Sequence, residues 1–189
     1  MYQQVLREPR NVALLGFIGA FGFLVLWLVA VFVDGSWVFG QMTLSELGDP
    51  SSPADAIFNI GCILAGIVLV LFTLAMRPLQ ENRILRLTFG VATLASFFLI
   101  GVGLFPIHVD LWHNLFAWAF FLTMITAVII SIPGDWQRGG RARMMAAASL
   151  FMAFVSVALL GFVALALAEA IVVIFIMIWV LLRILDLIL

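Results

Sequence analysis

The side chains best suited to acid–base chemistry fall mainly in two short segments of the chain. The first segment, 41–50, carries Glu46 next to Ser45, and the second, 105–114, reads FPIHVDLWHN. A carboxylate and an imidazole within reach of an ester can act as general acid and general base. We therefore predict that Glu46 and His113 are catalytic. Five further polar residues are predicted to contact the substrate: Ser45, Asn59, His108, Asp110 and Asn114.

Each of these residues also has a purely structural interpretation. Thr43-x-x-Glu46 fits a capping box on a one-turn helix lying in the membrane interface. Asp110 is well placed to cap a helix, and a histidine suits a wet helix end. Asn59 lies about two turns into an apolar helix, where its amide needs a hydrogen-bond partner on another helix or on a ligand. These alternatives stay open at the level of sequence.

A metal site is a further alternative for the same group. His108, His113, Asp110 and Glu46 supply the nitrogen and oxygen ligands that such sites use. The spacing of the two histidines matches neither i,i+3 nor i,i+4, so one ligand would have to come from a loop. Haem is disfavoured, since both histidines lie at one membrane face. The single cysteine, Cys62, is interpreted as a packing residue, and the sequence identifies no cofactor.

The composition defines the class of protein. Of 189 residues, 66% are apolar and 10% are charged, whereas soluble domains are about 45–50% apolar and about 25% charged. A chain this short cannot bury so much apolar surface in a water-soluble core, which excludes a soluble enzyme and a disordered protein. A net charge of −1 with no basic patch argues against a nucleic-acid partner. The chain is therefore predicted to be an integral membrane protein.

Six apolar runs are long enough to cross a bilayer, which needs about 20 residues. We predict a single all-α domain over residues 1–189, with six transmembrane helices at about 12–33, 53–76, 87–105, 110–132, 144–164 and 168–189. The last two come from one stretch of 46 residues. That stretch must fold back, and we place its turn around Ala164–Glu169. The first run is longer than the core of a signal peptide, so we expect a retained helix.

The arginines predict the orientation. With six helices, all nine basic residues fall on one side of the membrane, and all are arginine. The positive-inside rule makes that side cytoplasmic, together with both termini. Most acids and both histidines then lie at the outer face. The bilayer midplane is nearly empty of ionisable groups, which counts against a coupled transporter.

Glu169 stands alone in the last apolar stretch. With the turn placed just before it, Glu169 begins the sixth helix and interacts favourably with the helix dipole. With the turn elsewhere it is a buried acid, and such a residue is a functional candidate by default.

Three short motifs resemble those of a known membrane family. They are LSELG at 44–48, FNIG at 58–61 and GxGLFP at 101–106, followed by a histidine in the fourth helix. The chain resembles the family catalogued as domain of unknown function 998, which is similar to the Frag/DRAM/Sfk six-helix proteins, some of them tied to lipid or GPI-anchor remodelling. By this resemblance Ser45, Glu46, Asn59 and His113 match the family's polar signature. The chain departs from the expected pattern after Pro106, where an acid is replaced by Ile107 and His108.

Two functions follow from these observations, and the sequence does not distinguish an enzyme from a binding protein. The first is a lipid-directed enzyme that performs hydrolysis or acyl transfer on a headgroup or ester at the outer face of the cell membrane. The second is a non-catalytic protein that binds lipids or organises the membrane. A transporter or channel component is the third and weakest hypothesis. Membrane lipids are the expected partners, and the small-residue faces could be buried within one chain or across a homo-oligomer.

Overall fold

The computed structural model describes residues 8–189 and has an all-α fold, with no β-strand in that range. Its six long helices are α1 (Pro9–Asp34), α2 (Asp55–Leu79), α3 (Arg83–Leu104), α4 (Asp110–Arg138), α5 (Gly140–Phe162) and α6 (Leu165–Ile188). Two one-turn 3₁₀ helices, Leu44–Gly48 and Ile107–Val109, lie in the connections. All six long helices are long and apolar enough to cross a membrane, as the sequence predicts. The chain is accordingly a multi-pass membrane protein.

The helices form a closed ring. Each packs against its neighbours in sequence, and α6 closes the ring by packing against α1. Short connections make neighbouring helices antiparallel. Close approach needs small residues: a Cβ added to Gly66 of α2 would lie 2.9 Å from both the backbone nitrogen of Ile100 and the carbonyl oxygen of Ser96 in α3. Gly66, one of the small residues of α2, is therefore part of the α2–α3 interface.

The two ends of the bundle differ. At one end lie the connection 35–54 and the shorter connections 105–109 and 163–164, and we call this the long-loop end. The opposite end carries the start of α1, the end of α6, the connection 80–82 and the α4–α5 turn, and we call it the arginine end. All eight arginines of the described residues are at the arginine end, and Arg7 lies outside the described residues. The long-loop end corresponds to the face predicted to be outer.

The helix α4 is longer than the sequence predicts. The fourth helix was expected to end at about residue 132, but residues 134–138 continue α4 past Pro133 to Arg138. Asp135 is fully buried there and bonds to Arg183 of α6, which holds this extra turn against the bundle. The actual turn is confined to Gly139 and Gly140, whose φ angles of +73° and +51° require glycine.

Candidate functional site

The 3₁₀ helix Leu44–Gly48 is inserted into the long-loop end of the bundle. Leu44, Ser45, Leu47 and Gly48 are all buried, and the two leucines belong to the hydrophobic core. The one-turn helix suggested by the sequence is present. It packs into the bundle, where its two leucines find apolar partners among the helices.

The capping box expected for this segment does not form. The Thr43 side chain makes no cap hydrogen bond, and its Oγ1 is buried without a hydrogen-bond partner among the described residues. The free N–H at the start of the 3₁₀ helix is satisfied from another helix: the Leu44 N–H donates to Glu169 Oε2 at 3.0 Å. The Ser45 hydroxyl donates to Glu169 Oε1 at 3.1 Å. The carboxylate of Glu169 in α6 thus caps the 3₁₀ helix, for which the sequence suggested a local cap from Thr43 and Glu46.

Glu169 is the fifth residue of α6, so it lies beyond the first turn. The turn that precedes α6 is at Val163–Ala164, at the early edge of the predicted range. The predicted role of Glu169 as a dipole-stabilised first-turn residue is therefore wrong. It is the alternative that holds: Glu169 is a buried acid, 8% exposed, among apolar neighbours.

His113 lies on α4, 4% exposed, and bonds to the end of α3. Its Nδ1 lies 2.8 Å from the carbonyl oxygen of Phe105. A carbonyl can only accept, so Nδ1 carries the proton in this contact, and in the neutral imidazole Nε2 is then an acceptor. No hydrogen bond from another described residue reaches Nε2. The contact fixes the ring and leaves Nε2 without a hydrogen-bond partner in the part of the chain that the structure describes.

A cavity of about 70 Å³ joins these groups. It lies between α4, the end of α5, the start of α6 and the connection 35–54. Its polar wall comprises Thr43, Ser45, His113, Asn114 and Glu169. Its apolar wall comprises Ile107, Ala117, Trp118, Phe121, Leu160 and Leu165. Asn114, Trp118 and Leu165 are also exposed on the outside of the bundle, so the cavity borders the outer surface of the bundle.

The structure brings only part of the predicted site together. Ser45, His113 and Asn114 line the cavity, whereas Glu46, Asn59, His108 and Asp110 do not. Two of the latter position residues nearby. The Asn59 amide donates to the Gly48 carbonyl at 2.9 Å, and Asp110 Oδ1 accepts a hydrogen bond of 2.7 Å from the amide of Asn114.

Glu46 and His108 lie outside the cavity, half-buried and exposed respectively. Within residues 8–189 no group of three or more His, Cys, Asp or Glu side chains is arranged to hold a metal ion. The half-buried acid Asp49 of the same connection accepts hydrogen bonds from Ser51, whose hydroxyl and N–H lie 2.6 and 2.8 Å from its Oδ1. These hydrogen bonds lower the pKa of Asp49, and positive charge on His108 lowers it further.

Glu169 and Thr43 are cavity residues that were not among the predicted site residues. A signal for Glu169 was present, because a lone carboxyl in an apolar stretch is costly unless it has a role. No signal was available for Thr43, since its unpaired hydroxyl results from the way the loop packs.

Comparison with known proteins supports the interpretation as a membrane family. The family model described as "Protein of unknown function (DUF998)" matches residues 17–185. No curated protein and no solved structure matches the chain. The matched range includes all six membrane-length helices, in whole or in large part, and the whole of the cavity. The chain belongs to the DUF998 family.

Proposed function

We propose that this protein binds a membrane lipid, with the lipid's polar group held in the cavity at the long-loop end. The single observation that carries the proposal is the composition of the cavity wall: a buried carboxylate, a buried imidazole and an unpaired hydroxyl face a rim of exposed apolar side chains. Concave sites with a few convergent polar groups in an apolar lining are typical of ligand sites. A rim that borders the membrane favours an amphiphile over a water-soluble ligand.

The location in the fold supports the same proposal. The cavity lies near one end of the helices, at the depth where headgroup and acyl chain of a lipid meet in a bilayer. We further propose that the protein resides in the cell membrane, with the arginine end on the cytoplasmic side.

The test of lipid binding uses a cavity-filling variant. Ala117 lines the cavity on α4, so Ala117→Leu occupies space that the lipid needs. Ala119, a half-buried alanine of the same helix that does not line the cavity, gives the matched control Ala119→Leu. Native mass spectrometry of the detergent-purified protein, with lipid extraction from the same sample, is expected to find a retained lipid in wild type and Ala119→Leu. Loss of that lipid in Ala117→Leu would support the proposal. Equal retention in all three, or no lipid in wild type, would overturn it.

A second candidate function, hydrolysis or acyl transfer on the bound lipid, is favoured by one observation. The bond from His113 to the Phe105 carbonyl leaves Nε2 as a fixed base on the cavity wall. A base so oriented can remove a proton from water or a hydroxyl that attacks an ester. In liposomes, catalysis predicts product from wild type and a drop of about 10²-fold or more in His113→Gln. Lipid retained without any product in wild type would leave binding as the function.

A further inference from the structure

The polar groups that line the cavity offer mainly hydrogen-bond acceptors. Each oxygen of Glu169 accepts one hydrogen bond from the 3₁₀ helix and, as a carboxylate oxygen, can accept another. His113 Nε2 is an acceptor while Nδ1 donates to Phe105. The buried Thr43 Oγ1, without a partner in the described residues, can also accept. The amide of Asn114, which could donate, is directed to Asp110.

The distribution of charge at the long-loop end also favours a ligand group that donates hydrogen bonds. Glu169 makes no ion pair within residues 8–189, and its two hydrogen-bond partners are neutral. Every described arginine lies at the opposite end of the bundle, whereas this end also carries acids such as Glu46 and Asp110. An anionic phosphate in this cavity would meet the buried carboxyl group of Glu169 and no arginine. A cation with N–H donors would instead supply a positive charge beside Glu169 and donors for the free acceptors.

We infer that the lipid recognised at this site carries a primary ammonium in its headgroup, as in a phosphatidylethanolamine, and that the ammonium enters the cavity beside Glu169. The inference deepens the proposed function and rests on it. An ammonium has three N–H donors, and the acceptors on or beside the wall include Glu169, His113 and the buried hydroxyl of Thr43. The phosphate of the same lipid stays outside the cavity, toward the surface of the bundle.

The N–H donors make the inference specific. A primary ammonium has three N–H groups to donate to the wall, whereas a trimethylammonium group has none. Discrimination between ethanolamine and choline headgroups is therefore the measurable consequence.

The experiment compares headgroups that differ by single methyl groups. Wild-type protein is placed in nanodiscs of phosphatidylcholine that contain a minor, equal amount of one test lipid: phosphatidylethanolamine, its N-monomethyl or N,N-dimethyl derivative, or phosphatidylglycerol. Lipids that remain bound after transfer to detergent are counted by native mass spectrometry. We expect retention to fall with each added methyl, by about tenfold overall from ethanolamine to choline, because charge-assisted hydrogen bonds are lost stepwise. Phosphatidylglycerol is expected not to be enriched.

Two matched variants assign the preference to Glu169. Glu169→Gln keeps an oxygen for the Leu44 N–H and removes the charge, so it is expected to abolish the preference for ethanolamine. Glu81→Gln makes the same change at an exposed position of the arginine end and is expected to keep the preference. Should Glu169→Gln unfold, the methyl series on wild type still decides the inference.

The outcomes separate the inference from the function on which it rests. Lipid retained with no preference among headgroups, or with choline or glycerol preferred, overturns the ammonium and leaves lipid binding standing. No lipid retained by wild type overturns both. Displacement of the bound lipid by free ethanolamine at millimolar concentration would make a soluble amine the ligand and would overturn the lipid as its source.

Discussion

The two ends of the bundle bury charge in opposite ways. At the arginine end, Arg183 of α6 and Asp135 of α4 are both buried and form two parallel N–H···O bonds of 2.9 and 2.6 Å. Arg183 also lies over the ring of Trp179, 5.0 Å from its centroid. At the long-loop end, Glu169 is buried with neutral donors and, among the described residues, forms no ion pair. Arg183 therefore has an oppositely charged partner inside the protein, whereas Glu169 has none among the described residues.

This difference separates a structural role from a chemical one. A buried ion pair with matched geometry has its charge compensated and holds helices in register, although Arg183 Nε has no hydrogen-bond partner among the described residues. A buried carboxylate with only neutral donors is costly to keep. A cationic group from outside the protein would lower that cost. The comparison predicts that substitutions at the arginine end change stability, whereas substitutions at the long-loop end change lipid retention as well.

The largest effect on stability is expected from Asp135→Ala. This change leaves the buried guanidinium of Arg183 without its carboxylate, and such an orphaned charge typically costs about 3–5 kcal/mol. Unfolding of the detergent-solubilised protein, followed by circular dichroism as denaturant is added, measures the loss.

The double variant Asp135→Leu with Arg183→Met is the control for that prediction. It removes both charges, and replacing a buried pair with apolar residues is often neutral. The double variant is therefore expected to be more stable than Asp135→Ala alone. A double variant as unstable as the single one would contradict a balanced ion pair.

A smaller loss is expected from Glu169→Ala. It leaves the Leu44 N–H and the Ser45 hydroxyl without their acceptor, and each unsatisfied buried group costs about 1–3 kcal/mol. The loss is local, so amide hydrogen exchange at residues 44–48 is expected to accelerate while exchange in α2 and α3 stays slow. Acceleration throughout the bundle would show instead that Glu169 supports the whole fold.

The fold was accessible from the sequence because apolar length alone predicts membrane helices. Six apolar runs and the distribution of the arginines were enough to predict a bundle of six helices. The C-terminal end of α4 was harder to predict. Asp135 lies in a polar segment, which indicates a turn until its pairing with Arg183, 48 residues away, is known.

The site was accessible only in part, for a similar physical reason. Local spacing identified Ser45, His113 and Asn114, which share the cavity. It also suggested a capping box for Thr43 and Glu46, because the rule considers only neighbours in sequence. The actual cap comes from Glu169, 125 residues after Leu44. Contacts at such separations depend on how the helices pack, and one sequence does not encode them in a readable pattern.

Two asparagines, one at each end of the bundle, test the difference between the ends through smaller effects on stability. Asn59→Ala removes the 2.9 Å hydrogen bond to the Gly48 carbonyl, and Asn82→Ala removes the cap that accepts from the Ile84 N–H at 2.8 Å. Each is expected to cost about 1 kcal/mol. Only Asn59→Ala is expected to weaken lipid retention in the native mass spectrometry assay, because it loosens the segment that presents Ser45 and Thr43. Equal lipid retention in both variants would mean that the segment holds its position without Asn59.

The smallest effect is expected from Arg138→Ala, within the arginine end itself. Arg138 bonds to Asp186 at 2.6 and 3.0 Å, with the same fork geometry as Arg183 and Asp135, but its side chain is 37% exposed. Water already solvates this guanidinium and salt screens it, so the loss is expected to be about 0–1 kcal/mol. The denaturation assay used for Asp135→Ala checks it directly. Both pairs join the same helices with the same fork geometry, so the contrast between them tests mainly burial, although Arg138 also lies 3.6 Å from Asp135. A loss for Arg138→Ala as large as that for Asp135→Ala would mean that geometry, rather than burial, determines the cost of removing a charge here, and the case for an unsatisfied Glu169 would weaken with it.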